Sequence, residues 1–157
     1  MSNKQGAGKK IIARNKRARH EYHLLEFYEA GLVLTGTEIK SVRDNKVSLQ
    51  RSFVQPRNGE LWLIDSHIAE YVHGNRENHE PARPRKLLLH RREIKNILDK
   101  LAQKGLTCVP TQLYLKNGRA KVEIALARGK KLHDKRQNLA QKDSQRQMQR
   151  ALKEKYR

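Results

Sequence analysis

The amino-acid sequence has little cysteine and no long apolar run. Its single cysteine, Cys108, cannot form an internal disulfide, and its place in an apolar strand pattern predicts a buried thiol. The longest apolar runs span only a few residues, too few to cross a bilayer. No apolar stretch follows the basic N-terminus, so we expect no signal peptide. We therefore expect a cytoplasmic protein.

Aromatic residues are also scarce, with two Phe and one Trp in 157 residues. A basic protein that lies on a membrane surface needs a helical face rich in Trp, Phe or Leu beside its cations. Neither basic end of this chain has such a face. The sequence therefore predicts no membrane partner.

The motifs that mark common catalytic sites are absent. There is no P-loop, no Rossmann glycine pattern and no nucleophile elbow. His20 and His23 lie three residues apart, but in a strand this spacing sends them to opposite faces. His73 and His79 lie in or beside a loop without partners. We therefore predict no metal site and no cofactor.

Two carboxylates, Glu26 and Glu29, are the remaining candidates for acid and base chemistry. A strand face, or a hydrogen-bond acceptor that faces RNA, explains them equally well. With no catalytic constellation in the sequence, we predict that the protein is not an enzyme.

Acidic residues are few beside basic ones, and the excess charge lies at the two ends. The net charge is +19. Residues 1–19 contain seven Lys or Arg and no acid, and residues 129–157 carry net +7, which leaves +5 for residues 20–128. A solvated surface is the plain alternative for any one charge run. Two basic arms on a moderately charged core are instead typical of a protein that grips nucleic acid.

The segment 129–157 is the most basic part of the chain. It contains Lys130, Lys131, Lys135 and Arg136 at its start and has too few apolar residues to bury, so it is expected to be largely disordered alone in water. Its Lys, Arg, Gln, Ala and Leu content is nevertheless that of a good helix former. We predict a tail that is disordered until a polyanion binds it.

Two Asn-Gly pairs and one helical repeat predict the core of the fold. Asn58-Gly59 joins residues 53–57 to 60–64 in a hairpin with apolar residues on both faces. Asn117-Gly118 joins 111–116 to 119–128 in a second hairpin, with period-two apolar residues on one face. Residues 91–104 have helical apolar spacing, and Gly105 is placed as the C-terminal cap.

The remaining segments complete a mainly β, α+β chain. We predict a first strand at 11–13, a short helix from the cap Asn15 to Arg19, and a long strand over 22–34 with a bulge or bend at Gly31. A short helix follows over 36–45, and 74–86 is a polar surface loop.

About six strands and two or three short helices result, and a small antiparallel OB-type barrel would remove their exposed edges. The expected organisation is a flexible basic N-terminus at 1–10, a barrel at 11–128 and a basic tail at 129–157.

Two short stretches have residue types suited to RNA. Residues 15–22 interleave Lys16, Arg17 and Arg19 with His20 and Tyr22, so the cations can contact phosphates and the rings can stack on an unpaired base. The alternative for Tyr22 is a place in the core.

In the second stretch, strand spacing puts Lys86, Leu88 and His90 on the same face. An outward Leu flanked by Lys and His suggests an apolar contact to a base within a basic surface.

Five stretches in register resemble the bacterial SsrA-binding protein (SmpB) family: 15–22, 29–32, 36–43, 85–90 and 129–136. The resemblance implies an OB-type barrel that binds the tRNA-like domain of transfer-messenger RNA. It also implies delivery of that RNA, with elongation factor Tu, to ribosomes stalled on a message without a stop codon. In trans-translation, the stalled peptide is then tagged for proteolysis and the ribosome is rescued. The protein is expected to act as a monomer.

The resemblance also implies roles for individual residues. Glu29, Leu88 and His90, which takes the place of a family Asn, match the surface for the tRNA-like domain. We expect the same RNA to contact Lys16, Arg17, Arg19, His20, Tyr22 and Lys86. In the tail, Lys130, Lys131, His133, Asp134, Lys135 and Arg136 match the ribosome-facing motif, with His133 stacked on a base of 16S rRNA at the decoding centre. Ala151-Leu152 stands at the distance of an apolar pair near the end of the tail, inside the empty mRNA channel.

Two other functions are compatible with a basic barrel. A structural ribosomal protein would have the same arms and would accompany every ribosome. An RNA-processing enzyme would need a general acid or a metal, for which the sequence offers no candidate set.

Overall fold

The computed structural model describes residues 8–73 and 77–155, without the side chains of residues 132–135, 138, 154 and 155. Its described residues form nine strands and four helices, against about six strands and two or three helices predicted. The elements are, in order, β1(Lys9–Arg14), α1(Lys16–Glu21), β2(Tyr22–Leu32), α2(Gly36–Arg43), β3(Val47–Ser48), β4(Phe53–Arg57), β5(Glu60–Ile64), β6(His67–Ile68), β7(Arg85–Leu88), α3(Arg91–Leu101), β8(Leu106–Lys116), β9(Arg119–Gly129) and α4(Leu132–Lys155).

Seven strands form one antiparallel sheet in the order β1-β8-β9-β2-β7-β5-β4, and β3 pairs with β6 in a separate ribbon. The last strand of the sheet, β4, also packs against β8. The sheet therefore curls back on itself, which removes much of its exposed edge. This mainly antiparallel α+β architecture confirms the predicted fold class.

Both predicted hairpins have the predicted register. Arg57 pairs with Glu60 and Lys116 pairs with Arg119. The Asn and Gly of each turn have positive φ, at 50° and 75° in the first and 52° and 77° in the second. Asn and Gly are the residues that tolerate this conformation, which is why the two short turns form where they do.

The second hairpin supplies about a third of the main hydrophobic cluster. Its predicted inward face is buried throughout: Leu113, Leu115, Ala120, Val122, Ile124 and Leu126. The first hairpin buries Val54, Leu61 and Leu63 on one face, whereas Phe53 on the other is 36% exposed. The prediction that both faces of this hairpin are covered is therefore wrong at Phe53.

The long strand β2 has its bulge in a different place from the one predicted. The irregularity lies between Leu24 and Glu26, and it leaves Leu25 half exposed. Gly31 keeps regular pairing, opposite Leu88 on β7 and Lys121 on β9. A Cβ at Gly31 would lie 3.2 Å from the Cβ of Leu88. Glycine is therefore needed for close approach of β7 and not for a bend.

The predicted cap is confirmed at α1 and wrong at α3. Asn15 Oδ1 accepts a hydrogen bond from the Ala18 N–H at 3.2 Å, and Thr35 begins α2 with a capping box. In contrast, α3 ends at Leu101 with Ala102 as its C-cap. Gly105, with φ +85°, lies in the turn that leads into β8.

A buried ion pair, which the sequence pattern does not predict, joins α2 and β7. Glu38 and Arg85 have fully buried side chains, and Arg85 Nε lies 2.5 Å from Glu38 Oε2. Arg83 Nε donates to both carboxylate oxygens at 3.1 Å, and the Thr35 N–H donates to Oε1 at 2.8 Å. Burial raises the pKa of Glu38, but these hydrogen bonds outweigh it and hold the pKa below its ordinary value.

The same arginine ties down the segment that leads into β7. Arg85 donates through its terminal nitrogens to the backbone oxygens of Ser66 and Pro81, both at 3.0 Å. His79 is buried too, with Nε2 2.8 Å from the Ile68 oxygen and Nδ1 2.9 Å from Thr37 Oγ1. The described part of the predicted surface loop 74–86 is therefore anchored, and His79 has partners. Residues 74–76 lie outside the described residues.

The tail is helical from Leu132 to Lys155. This helix agrees with the helix-forming composition of the segment. The disorder of the tail before binding and its helix on the ribosome stay predictions. At the other end, β1 begins at Lys9, inside the segment 1–10 that was predicted to be flexible. Residues 1–7 lie outside the described residues.

We expect Glu38→Gln to lower the free energy of unfolding by about 3–5 kcal/mol, because it leaves two arginines beside a neutral partner. Since the folded Glu38 has a lowered pKa, its contribution is present at neutral pH and is lost as the pH falls through that pKa. Urea unfolding at neutral and acid pH measures both effects, and the variant should converge on the parent protein in acid.

The matched control is Glu21→Gln, which breaks the exposed pair between Arg17 and Glu21. We expect it to leave the unfolding midpoint essentially unchanged. Equal effects of the two substitutions would contradict the role given to the buried pair.

Candidate RNA-binding surfaces

Three predicted site residues that are distant in sequence meet in one pocket. Glu29 comes from β2, Leu88 ends β7, and His90 precedes α3. We call this the Glu29–Leu88 pocket, and its lining comprises Glu29, Gly31, Leu88, Leu89, His90, Glu93 and Lys121.

The alternation along β7 brings Leu88 to the surface. Arg85 and Leu87 are fully buried, whereas Leu88 is 53% exposed and Lys86 lies on the same side of the strand. The predicted outward face of 86–88 is therefore confirmed. Gly31 pairs with Leu88 across the strands and has no side chain to cover it, so an apolar group stays open to solvent inside a charged rim.

Glu29 is held by β8, two strands away. The Tyr114 hydroxyl donates to Glu29 Oε2, and Lys116 Nζ lies 3.5 Å from Oε1. The hydrogen bond from Tyr114, aided by the positive charge of Lys116, lowers the pKa of Glu29. The side chain is 42% exposed, so this pocket presents an ionised hydrogen-bond acceptor to solution.

His90 stands at the start of α3. Its backbone N–H donates to Glu93 Oε1 at 3.2 Å, as in a capping box. Because the cap fixes where the helix begins, it also fixes the position of His90 at the edge of the pocket.

The predicted cationic stretch at 15–22 forms α1 and its flanks. Lys16, Arg19 and His20 are exposed, whereas Arg17 is paired with Glu21 at 2.8 Å. Tyr22 is partly buried against a small apolar cluster of Ala18, Val109 and Ala127. The structure therefore favours the core alternative for Tyr22 and leaves the cations and His20 at the surface.

Helix α1 lies beside the beginning of the tail. The Lys130 backbone N–H donates to the Glu21 oxygen at 2.8 Å, and Lys130 Nζ donates to the Arg19 oxygen at 3.1 Å. A cleft joins the two helices and is lined by Arg19, His20, Lys130, Leu139, Gln141, Lys142 and Gln145. We call this the α1–tail surface.

The two surfaces lie at opposite ends of β2. Tyr22 at one end pairs with Gly129, where the tail begins, and Glu29 lies seven residues further along. At about 3.3 Å per residue, the separation is roughly 20 Å. The sequence predicts one RNA for α1 and the pocket, yet the structure brings α1 together with the tail.

Side chains along the tail helix are exposed where they are described. Leu139 is 50% exposed, Met148 66% and Leu152 54%, and Lys131, Arg136 and Ala151 are exposed too. Met148 and Leu152 are four residues apart and share a helix face. His133, Asp134 and Lys135 lie in the helical backbone, but their side chains are outside the described residues.

Three residues around Glu29 escaped the sequence analysis: Tyr114, Lys121 and Glu93. The period-two pattern of β8 already placed Tyr114 on the face opposite Leu113 and Leu115. What it could not supply was the strand order, which puts β9 between β8 and β2.

Other chemistries find no support in the described part of the chain. Residues 8–73 and 77–155 contain no group of three or more His, Cys, Asp or Glu that could hold a metal ion. Among the helices in those residues, none is long and apolar enough to cross a membrane.

Comparison with known proteins gives a consistent family. The family model described as SmpB protein matches residues 12–154. The SsrA-binding protein of Carboxydothermus hydrogenoformans is 54% identical over 147 residues, 94% of this chain and 99% of that protein. The SsrA-binding protein of Thermobifida fusca is 57% identical over 148 residues, 94% of this chain and 92% of that protein.

A solved structure is similar in fold as well as in sequence. Its chain, described in the words "tmRNA-SmpB: a journey to the center of the bacterial ribosome", is 48% identical with a TM-score of 0.66. The similarity covers 80% of this chain and 92% of that chain.

Cys108 should be inert in the folded protein. It is buried, and burial raises the pKa of its thiol to about 12, so at pH 8 only about one thiol in ten thousand is ionised. We expect a disulfide reagent at pH 8 to label the protein only after urea is added. Rapid stoichiometric labelling without urea would contradict this placement.

Proposed function

The chain belongs to the SmpB protein family, and on that premise we propose that it binds the tRNA-like domain of transfer-messenger RNA and delivers it to stalled ribosomes. Its role is then in trans-translation, with rescue of the ribosome and tagging of the nascent peptide for proteolysis. The observation that carries the proposal is the meeting of Glu29 with Leu88 and His90 in one pocket, since two stretches about 60 residues apart, 29–32 and 85–90, supply the residues assigned to this RNA.

The pocket has groups suited to a folded RNA with unpaired bases. Leu88 offers an apolar contact to a base or sugar, and Glu29 accepts hydrogen bonds from amino or hydroxyl groups. Lys86 and Lys121 lie beside these groups, on the same side of β7 and in the pocket rim. They supply phosphate contacts, which position the RNA without reading its sequence.

The tail serves a second RNA, the 16S rRNA at the decoding centre and along the empty mRNA channel. It is strongly basic, and the exposed Met148 and Leu152 on one helix face can pack against rRNA. A tail that becomes ordered only on rRNA loses its conformational entropy there. A channel that is filled with mRNA excludes the tail, so the tail detects a missing message.

Helix α1 belongs with the tail in this scheme. Arg19 and His20 line the same cleft as Lys130 and Lys142 and stand roughly 20 Å from the Glu29–Leu88 pocket. One end of β2 then faces transfer-messenger RNA while the other end, with α1 and the tail, faces the ribosome.

The remaining partners follow from the same role. Elongation factor Tu accompanies the RNA during delivery, and the protein acts as a monomer in the cytoplasm. It contributes binding and positioning, not catalysis, in keeping with an RNA-binding family.

We expect Leu88→Ala and Glu29→Ala each to weaken binding of the isolated tRNA-like domain about tenfold, because each removes a contact worth about 1–2 kcal/mol. His20→Ala, the matched change on the α1–tail surface, should leave this affinity unchanged and weaken association with stalled ribosomes. Filter binding at a stated salt concentration measures the affinity.

In the same assay, Lys86→Ala tests the contribution of charge to RNA affinity, and Leu88→Ala tests the contribution of the apolar contact. Lys86→Ala should reduce the slope of log affinity against log salt by about one unit, while Leu88→Ala should leave the slope unchanged. If His20→Ala weakens binding of the tRNA-like domain as much as Leu88→Ala does, α1 belongs with the first RNA after all.

Removal of residues 133–157 should leave binding of transfer-messenger RNA near normal and abolish peptide tagging in a reconstituted translation system. The barrel that holds the first RNA keeps its core in this truncation, because none of the described side chains of α4 belongs to the buried cluster. Loss of RNA binding by the truncated protein would contradict the division between the two surfaces.

A further inference from the structure

We propose that Tyr114 is a positioning residue for RNA recognition, whose hydroxyl holds the Glu29 carboxylate so that it accepts hydrogen bonds from amino or hydroxyl groups of the RNA. The inference rests on the proposed function, since it concerns the same pocket, and it adds a residue that lies outside the pocket lining.

The strand order makes this contact a long-range one. Tyr114 lies on β8 and pairs with Lys121 of β9, and Glu29 lies beyond it on β2, paired with Glu123. Because β9 lies between them, β8 and β2 are separated by two strand spacings of about 4.8 Å each, or roughly 10 Å in all. A tyrosine can span this distance and still place a hydroxyl at Glu29, whereas phenylalanine at the same position has no donor.

Tyr114 has little freedom to place its hydroxyl elsewhere. Its side chain is 2% exposed, and it is paired with Ile11 of β1 on its other side. Lys9 Nζ lies 4.3 Å from the ring centroid, a cation–π contact that covers the ring. The hydroxyl is therefore presented to Glu29 from a fixed, buried ring.

Glu29 is more exposed than Glu123, the carboxylate paired with it on β9. Glu123 accepts hydrogen bonds from Thr111 Oγ1 at 2.8 Å and from Gln112 Nε2 at 3.1 Å, one to each oxygen. Glu29 accepts from Tyr114 on Oε2 and, at the longer distance of 3.5 Å, from Lys116 Nζ on Oε1. A carboxylate has about four acceptor positions, so both keep some capacity, but Glu29 is the more exposed of the two and is the one that lines the pocket.

A carboxylate beside RNA is repelled by the phosphates, and the Tyr114 hydrogen bond offsets the effect of this repulsion on the protonation of Glu29. The phosphates of RNA repel Glu29 and favour its protonated form, which accepts fewer hydrogen bonds. The Tyr114 hydrogen bond opposes protonation and so keeps Glu29 as an ionised acceptor at the pocket. The other charged or titratable groups around Glu29 are Lys116 on β8, Lys121 and Glu123 on β9, Lys9 above the Tyr114 ring, and His90 and Glu93 across the pocket.

The test is Tyr114→Phe, which removes the donor and keeps the ring. We expect the affinity for the isolated tRNA-like domain to fall about five- to tenfold. The matched control is Tyr28→Phe on β2, which removes a hydroxyl that donates to Glu26 at 2.8 Å. It deletes the same kind of hydrogen bond, together with one that the Tyr28 hydroxyl accepts from Asn96 Nδ2, outside the pocket lining. It should leave RNA affinity unchanged.

A double-mutant comparison distinguishes positioning from a general structural effect. In the Glu29→Ala background, Tyr114→Phe should cause no further loss of affinity, because the carboxylate that it positions is gone. Additive losses would overturn the proposal. An unchanged affinity of Tyr114→Phe, with Glu29→Ala still weakened, would overturn this inference alone. If Glu29→Ala binds normally, the pocket proposed for the RNA is wrong as well.

The pH dependence provides a second readout. Because the folded Glu29 has a lowered pKa, its acceptor function is present at neutral pH and is lost as the pH falls through that pKa. Without the Tyr114 hydroxyl the pKa rises, so the acid loss of binding should begin at a higher pH in Tyr114→Phe. A carboxyl-carbon NMR titration of Glu29 measures the same shift without RNA, and an unchanged midpoint would overturn the proposal.

Discussion

The buried ion pair between Glu38 and Arg85 is the constraint on which the rest of the structure depends. Glu38 lies in the first turn of α2, Arg85 begins β7, and the arginine also holds the backbone at Ser66 and Pro81. Taking two charges out of water is costly, and only a nearly complete set of hydrogen bonds offsets it. One arrangement of these segments satisfies both charges, which sets the course of β7 and, three residues after Arg85, the exposed position of Leu88.

Strand β2 connects two separate surfaces. It runs from Tyr22 beside the tail to Gly31 beside β7, and it pairs with β9 over most of this length. A bulge near Leu25 adjusts the twist between the two ends. One strand therefore places α1 and the tail at one end and the Glu29–Leu88 pocket at the other, a spacing suited to a protein that joins one RNA to another.

Local patterns were enough to predict the elements whose causes are local. Asn58-Gly59 and Asn117-Gly118 predicted both hairpins with their registers, and Asn15 predicted the start of α1. Where distant residues intervene, the local pattern misled. Gly31 indicated a bend in the strand, but it instead leaves room for the close approach of Leu88. The pattern of 74–86 predicted a surface loop, but the buried Arg85 and His79 anchor this segment. A polar residue carries no mark in the sequence that tells whether its partner is water or a buried charge.

The sequence by itself determined the charge distribution, the turn positions, the inward face of the second hairpin and the helical tail, because each depends on neighbouring residues and on a repeat of two or of about 3.6. It also identified Glu29, Leu88 and His90 through a family resemblance. Only the tertiary structure decided that these three share a pocket, that Tyr114 reaches across β9 to Glu29, and that α1 lies beside the tail. The reason is physical: strand order and the buried Glu38–Arg85 pair arise from contacts between segments dozens of residues apart, and no local pattern records them.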